Sequence, residues 1–289
     1  MEPGKLSRLI ADPLRPGLLK GEVWISPEVL AATGCEPGPR GLVGFASALG
    51  ADICFFHWPA AALAVDFKDL AAIARDAGLD WGLTIDGPFQ RLTTQRNLLD
   101  ILQEVGRDLA GFQSLLAREM EEIKEVVDLI RELEIELLVI GEDLGYAGGL
   151  YFSPSVFRAC LLPLYEVLVK ELSGRGIAPG WHSDGNVEPL LPDLVACGFR
   201  FFSLEPECVD LAGFKQAYGS QVSLIGGIRV DWLAAREFNP EMQAACRREI
   251  STLAAAGGLI LASSCGLYHP RFLPNLSRIY RLVEEMAQG

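Results

Sequence analysis

The chain has 289 residues, half of them hydrophobic and 22% charged, which excludes a disordered or low-complexity protein. A folded chain of this length buries roughly three quarters of its surface, so its core needs no covalent staples. Asp and Glu outnumber Lys and Arg 38 to 25, a formal charge of −13 without basic runs, which argues against a nucleic-acid partner.

Residues 1–20 read as an N-terminal extension. They begin Met1-Glu2-Pro3-Gly4-Lys5, without the basic segment and apolar core of a secretory signal, so a cytoplasmic location is expected. No apolar run approaches the ~18 residues of a membrane helix before Gly, Pro or a charge breaks it. Short apolar runs then recur, each about six residues long, at 21–25, 53–58, 81–86, 135–142, 178–183, 200–205, 222–227 and 259–263. That length and apolarity suit buried parallel strands. Helical patterns lie between them. In 98–134, Leu98, Leu99, Leu102, Val105 and Leu109 predict one apolar stripe, and Ile123, Val126, Val127 and Ile130 another. A second helix is expected over 155–172, opened by the cap and helix-starting proline of Ser153-Pro154. Eight strands alternating with helices predict a single (β/α)8 barrel domain over 1–289, and no Gly-rich phosphate loop supports an open doubly wound sheet. The seven cysteines form no CxxC pair and read as reduced thiols.

In such a barrel, chemistry sits at the C-terminal ends of the strands. Those ends carry Ser26, His57, Asp86, Glu142 with Asp143, His182 with Asp184, Glu205 with Glu207, Arg229 with Asp231, and Cys265. Histidines and carboxylates following apolar strands need partners if buried. Glu142, Asp143 and His57 are the catalytic candidates, one of the two acids being alternatively a metal ligand. Asp86, Glu205 and Arg229 are the candidates for substrate contact. Asp184 precedes Gly185-Asn186 and is also plain turn chemistry.

Several segments resemble the uroporphyrinogen decarboxylase superfamily, closest to its corrinoid-dependent methyltransferase branch. The most specific runs from Trp181-His182-Ser183-Asp184-Gly185-Asn186 to Pro192-Asp193-Leu194. Gly141-Glu142-Asp143-Leu144-Gly145, Leu224-Ile225-Gly226-Gly227-Ile228 and Ser264-Cys265-Gly266-Leu267 are similar too. The resemblance implies the same (β/α)8 barrel. It departs from true uroporphyrinogen decarboxylases after the first strand, where Trp24-Ile25-Ser26-Pro27-Glu28 stands in place of an arginine-rich segment. In the methyltransferase branch a His-x-Cys pair and a later Cys bind zinc. His182 and Cys265 match the outer positions, and Asp184 replaces the middle Cys; Asp is itself an ordinary zinc ligand.

The resemblance therefore implies methyl transfer between a corrinoid and a thiol or other small acceptor, at a zinc site of His182, Asp184 and Cys265. It also implies a corrinoid protein as partner and a homodimer. Two alternatives stand beside it: a decarboxylase of a tetrapyrrole or smaller carboxylic acid, and a barrel that binds a tetrapyrrole or corrinoid without turnover.

Overall fold

Runs such as Ile53-Cys54-Phe55-Phe56 and Leu137-Leu138-Val139-Ile140 carry no polar face, which suits strands covered on both sides. In the computed structural model, which describes residues 4–58, 67–133 and 135–288, they form the wall of a barrel. Its strands are β1 (Leu18–Lys20), β2 (Ile53–Trp58), β3 (Asp80–Asp86), β4 (Leu137–Gly141), β5 (Ala178–Ser183), β6 (Phe201–Leu204), β7 (Ser223–Ile228) and β8 (Leu259–Ser263). Every pairing is parallel, running from β2 through β8 to β1. The seam between β1 and β2 is stitched by Asp52. Its N–H donates to the Lys20 carbonyl at 2.7 Å, and its carboxylate accepts the Lys20 N–H at 2.9 Å.

Three local expectations are corrected. The first strand is 18–20, not 21–25, so these residues belong to the barrel and not to an extension. Beyond Gly21 the chain leaves the ladder. Glu22 turns into the layer behind the wall and accepts from Ser263 N–H at 2.9 Å, the Ser263 hydroxyl and Tyr280 Oη at 2.9 Å. Helix 98–134 is divided at Asp108, whose carboxylate accepts the Gly111 N–H and caps a new helix, Leu109–Leu129. Of the expected stripe, Leu98, Leu102 and Val105 are half-buried against the core, whereas Leu99, 67% exposed, and Leu109 face outward; Ile101, Phe112, Leu116 and Met120 are the fully buried members. The helix expected over 155–172 is two, Pro154–Cys160 and Leu162–Gly174. Pro163 has no N–H to offer the Ala159 carbonyl. Gln113 Nε2 occupies that carbonyl at 2.9 Å.

The barrel interior is filled by Val23, Ile53, Phe55, Leu137, Val139, Phe201, Ile225 and Ile260. Leu6 and Leu9 join the same cluster from the helix Lys5–Ala11, which closes the N-terminal end. The other end stays open. There the strands leave their polar C-terminal residues around a cavity.

Candidate active site at the barrel mouth

A cavity of about 380 Å³ opens at the C-terminal ends of the strands. His57, Asp86, Asp143, His182, Asp184 and Cys265 line it, with Thr84, Gln90, Trp24 and Ser264. A second cleft, of about 470 Å³, lies against the N-terminal ends of β5 to β7 and gathers Glu166, Lys170 and Arg200 without a histidine. Chemistry in this architecture belongs to the first.

On one wall, His182 stands near the end of β5 in register with Ser203 of β6. Its Nδ1 lies 2.9 Å from the Ser203 hydroxyl, which fixes the ring and turns Nε2 to the cavity. Nε2 is 3.8 Å from Asp143 Oδ1 and 3.6 Å from Asp184 Oδ1. Asp143 Oδ1 also accepts the Asp184 N–H at 3.0 Å, tying the loops after β4 and β5 together. Gly185 completes the turn with φ +81, and a Cβ there would lie 2.4 Å from the Tyr146 backbone nitrogen. Its N–H donates to Glu205 Oε2 at 2.7 Å.

Asp184 Oδ1 is buried and takes no hydrogen bond. Burial pushes this carboxyl up to about 6; His182 opposes the rise, and Asp143, Glu205 and Glu207 add to it. A buried acceptor without a donor is an uncommon cost in a folded protein. Donor atoms of Asp143, His182 and Asp184 lie within 4.8 Å of one another, a set able to hold a cation.

The opposite wall repeats part of this plan. His57 of β2 stands in register with Thr84 of β3, and its Nδ1 lies 2.9 Å from the Thr84 hydroxyl. Nε2 is 3.7 Å from Asp86 Oδ1. Burial lowers the His57 pKa, with Asp86 opposing, and burial raises that of Asp86, with His57 and Arg91 opposing.

The remaining expected residues fall elsewhere. Cys265 lines the cavity but is not one of the three mutually close donors; the third is Asp143. Burial, with Asp184, Glu205 and Glu207, pushes its thiol up to about 12, so without a bound cation it is a neutral thiol. Glu142 is fully buried behind the wall. Its carboxyl accepts from Phe89 N–H at 3.1 Å, Gln90 N–H at 2.8 Å and Tyr165 Oη at 2.6 Å, capping the helix Pro88–Gln95, whose own N-cap is Gly87. Glu205 is spent on Gly185 and on the Cys208 thiol. Arg229 reaches Asp231 at 3.2 Å and Glu207 at 4.0 Å and does not line the cavity.

Thr84 and Ser203 were not singled out from the sequence. The available signal was a lone hydroxyl inside an apolar strand, Leu83-Thr84-Ile85 and Phe202-Ser203-Leu204, opposite a strand-end histidine.

A sequence model of the family described as Uroporphyrinogen decarboxylase (URO-D) matches residues 85–286. Comparison with curated proteins gives no match. Among solved structures, a methyltransferase from Methanosarcina mazei is similar with a TM-score of 0.69 at 15% identity, over 98% of this chain and 97% of that one. A D-psicose 3-epimerase from Clostridium cellulolyticum H10 superposes with a TM-score of 0.59 at 9% identity, over 94% and 98%. A putative vitamin-B12 independent methionine synthase from Listeria monocytogenes gives 0.57 at 13%, over 93% and 96%. At these identities the likeness is one of fold.

Proposed function

The chain belongs to the uroporphyrinogen decarboxylase (URO-D) family, and from that premise we propose that it is a methyltransferase acting at a metal held by Asp143, His182 and Asp184. The methyl group passes between a corrinoid, carried by a partner protein, and a thiol or other small acceptor. The observation that carries this reading is the convergence of one imidazole nitrogen and two carboxylates within 4.8 Å at the barrel mouth.

The donor set fits zinc. Ligands at ~2.0–2.2 Å in a tetrahedron lie roughly 3.4 Å apart, and His182 Nε2 stands 3.6 and 3.8 Å from the two carboxylate oxygens. The Ser203 hydroxyl on Nδ1 is the outer partner that a ligating histidine ordinarily has. The buried Asp184 oxygen lacks a donor and would gain a cation. When bound, zinc supplies charge that favours the thiolate form of an acceptor and leaves a fourth position for it.

The residues themselves orient and exclude. Ser203 holds His182 in one ring setting, and Asp143 holds the Asp184 backbone. Cys265 lines the same cavity. Among the described residues lining the cavity none is Lys or Arg, which opposes the tetrapyrrole-decarboxylase alternative, because many substrate carboxylates need cations to receive them.

The test is metal analysis followed by turnover of methylcobalamin with small thiols. Stoichiometric zinc and a methylated thiol, both lost after chelation and restored by zinc, are expected. Protein that takes up no metal, or turnover that survives chelation, would overturn the reading.

A further inference from the structure

The wall opposite the metal-capable cluster leaves His57 Nε2 and Asp86 facing each other without a direct hydrogen bond. The Thr84 hydroxyl lies 3.3 Å from the Phe56 carbonyl and 2.9 Å from His57 Nδ1, and when it donates to the carbonyl its oxygen is free to accept from Nδ1–H. In that tautomer the proton of a neutral His57 sits on Nδ1 and Nε2 is a bare lone pair. Burial keeps the ring on the neutral side by lowering its pKa. Nε2 then faces Asp86 Oδ1 across 3.7 Å, too far apart to bond directly and presenting two acceptors to a ligand between them. Both line the cavity.

We propose that His57 Nε2 and Asp86 form a subsite for a protonated amine of the substrate. An ammonium nitrogen has several N–H groups and no lone pair, so one can point at each acceptor. A donor about 2.9 Å from each atom spans a 3.7 Å gap comfortably. A quaternary ammonium ion has no N–H and would leave both lone pairs unmet.

The surroundings support the same sign. Asp86, Asp143 and Asp184 are the lining carboxylates, and no described lining residue is cationic. Arg91, which acts on Asp86, and Arg229, at a neighbouring strand end, are already engaged. Arg91 bonds buried Glu119 at 3.1 Å and also Glu122, and Arg229 bonds Asp231 and Glu207. A zinc ion on Asp143 and Asp184 would balance those two charges and leave that of Asp86 for the substrate. The subsite stands on its own geometry; that the amine belongs to a methyl acceptor rests on the proposed function.

Two arms keep these claims apart. In the first, ethylammonium and propionate are titrated by ligand-observed NMR into metal-free protein. Ethylammonium binds and propionate does not; Asp86→Asn weakens ethylammonium at least about tenfold, His57→Phe similarly, and Asp184→Asn less than about twofold. Ethylammonium that fails to bind, binds no better than propionate, or depends on Asp184 but not Asp86 overturns the subsite. In the second, zinc-loaded protein receives methylcobalamin with cysteamine, 2-mercaptoethanol or 3-mercaptopropionate, thiols that differ in the charge of their far end. Cysteamine is preferred at least about tenfold in kcat/KM over both, and Asp86→Asn erases the preference while zinc content stays unchanged. Turnover without that preference overturns the subsite and leaves the methyltransferase reading standing. Amine binding without turnover of any thiol overturns the methyltransferase reading and leaves the subsite.

Discussion

The two walls of the mouth are built to one plan and differ in one group. Each places a histidine near the end of a strand, and each pairs Nδ1 with a hydroxyl on the next strand in register: His57 with Thr84, His182 with Ser203. Each turns Nε2 toward carboxylate. The β2–β3 wall offers one, Asp86 at 3.7 Å, and the β4–β5 wall offers two, Asp143 and Asp184 at 3.8 and 3.6 Å. That extra carboxylate separates the two proposed roles. An imidazole with two carboxylates can neutralise and hold a divalent cation, whereas an imidazole with one matches a monovalent cation such as an ammonium group.

The largest effect expected from breaking this comparison is at the metal. His182→Ala removes the neutral nitrogen donor, and stoichiometric zinc should be lost, measured by metal analysis after dialysis. His57→Ala should leave zinc in place; loss of zinc in both would make the walls equivalent and defeat the distinction.

A smaller effect separates the two hydroxyls. Ser203→Ala frees the His182 ring while keeping every ligand, and outer partners of this kind are worth about 10–100-fold in metal affinity. Thr84→Val, nearly the same shape, should change zinc affinity by less than about twofold. Competition with a zinc-binding dye measures both. Equal losses would mean that the hydroxyls serve the barrel rather than the metal.

Much of this frame was legible in the sequence because strand runs and their ends are written locally. The first strand was misplaced because Leu18–Lys20 is short and ends in a lysine, whose burial makes sense only once Glu284, from the last helix, lies 2.6 Å from Nζ. The strand ends His57, Asp86, Asp143, His182, Asp184 and Cys265 do line the cavity, whereas Glu142, Glu205 and Arg229 do not. Side chains alternate across the wall, so of neighbours Glu142 and Asp143 one faces the helices and the other the mouth. Sequence spacing names the pair without naming the inward member. The exchange of Cys265 for Asp143 in the close donor set is likewise a matter of side-chain direction.

Support behind the β4 wall gives effects on stability instead of metal. Both Glu142 oxygens receive hydrogen bonds, and even the protonated acid can accept at both, whereas the amide nitrogen of Glu142→Gln cannot accept and leaves one of these donors unmet. An unmet buried donor costs about 1–3 kcal/mol, which should appear as a lower urea midpoint with an unchanged slope. The pH dependence has a definite sign. Burial holds this carboxyl up at about 8, opposed by its three donors, against an ordinary value of 4.5. Between those values the folded state binds the proton more tightly, so its contribution is complete below about 4.5 and is lost as pH rises through about 8. The midpoint should fall from pH 5.5 to pH 8, and Glu142→Gln should flatten that slope; a slope unchanged by the variant would refute the assignment.

The smallest effect comes from Tyr165→Phe, which removes one hydroxyl and keeps the ring packed between Phe157 and Phe199. Tyr165 Oη donates to Glu142 Oε1 at 2.6 Å, and below pH 8 that carboxyl is mostly protonated, so the bond counts as one between neutral groups. Such a bond is worth about 1 kcal/mol net. The unfolding free energy from urea titration at pH 6 should fall by that amount, read as a lower midpoint at unchanged slope. The Tyr165 donor also lowers the Glu142 pKa. Without it the pKa rises, and the pH at which stability is lost should move upward. Tyr165 touches neither wall of the cavity, so zinc affinity and ethylammonium binding should stay within about twofold of the parent. A downward shift in the pH midpoint would show that Tyr165 restrains proton loss from Glu142 rather than favouring it. A change in zinc affinity with stability intact would show that the layer behind β4 sets the reach of Asp143, extending the difference between the walls into the helices that back them.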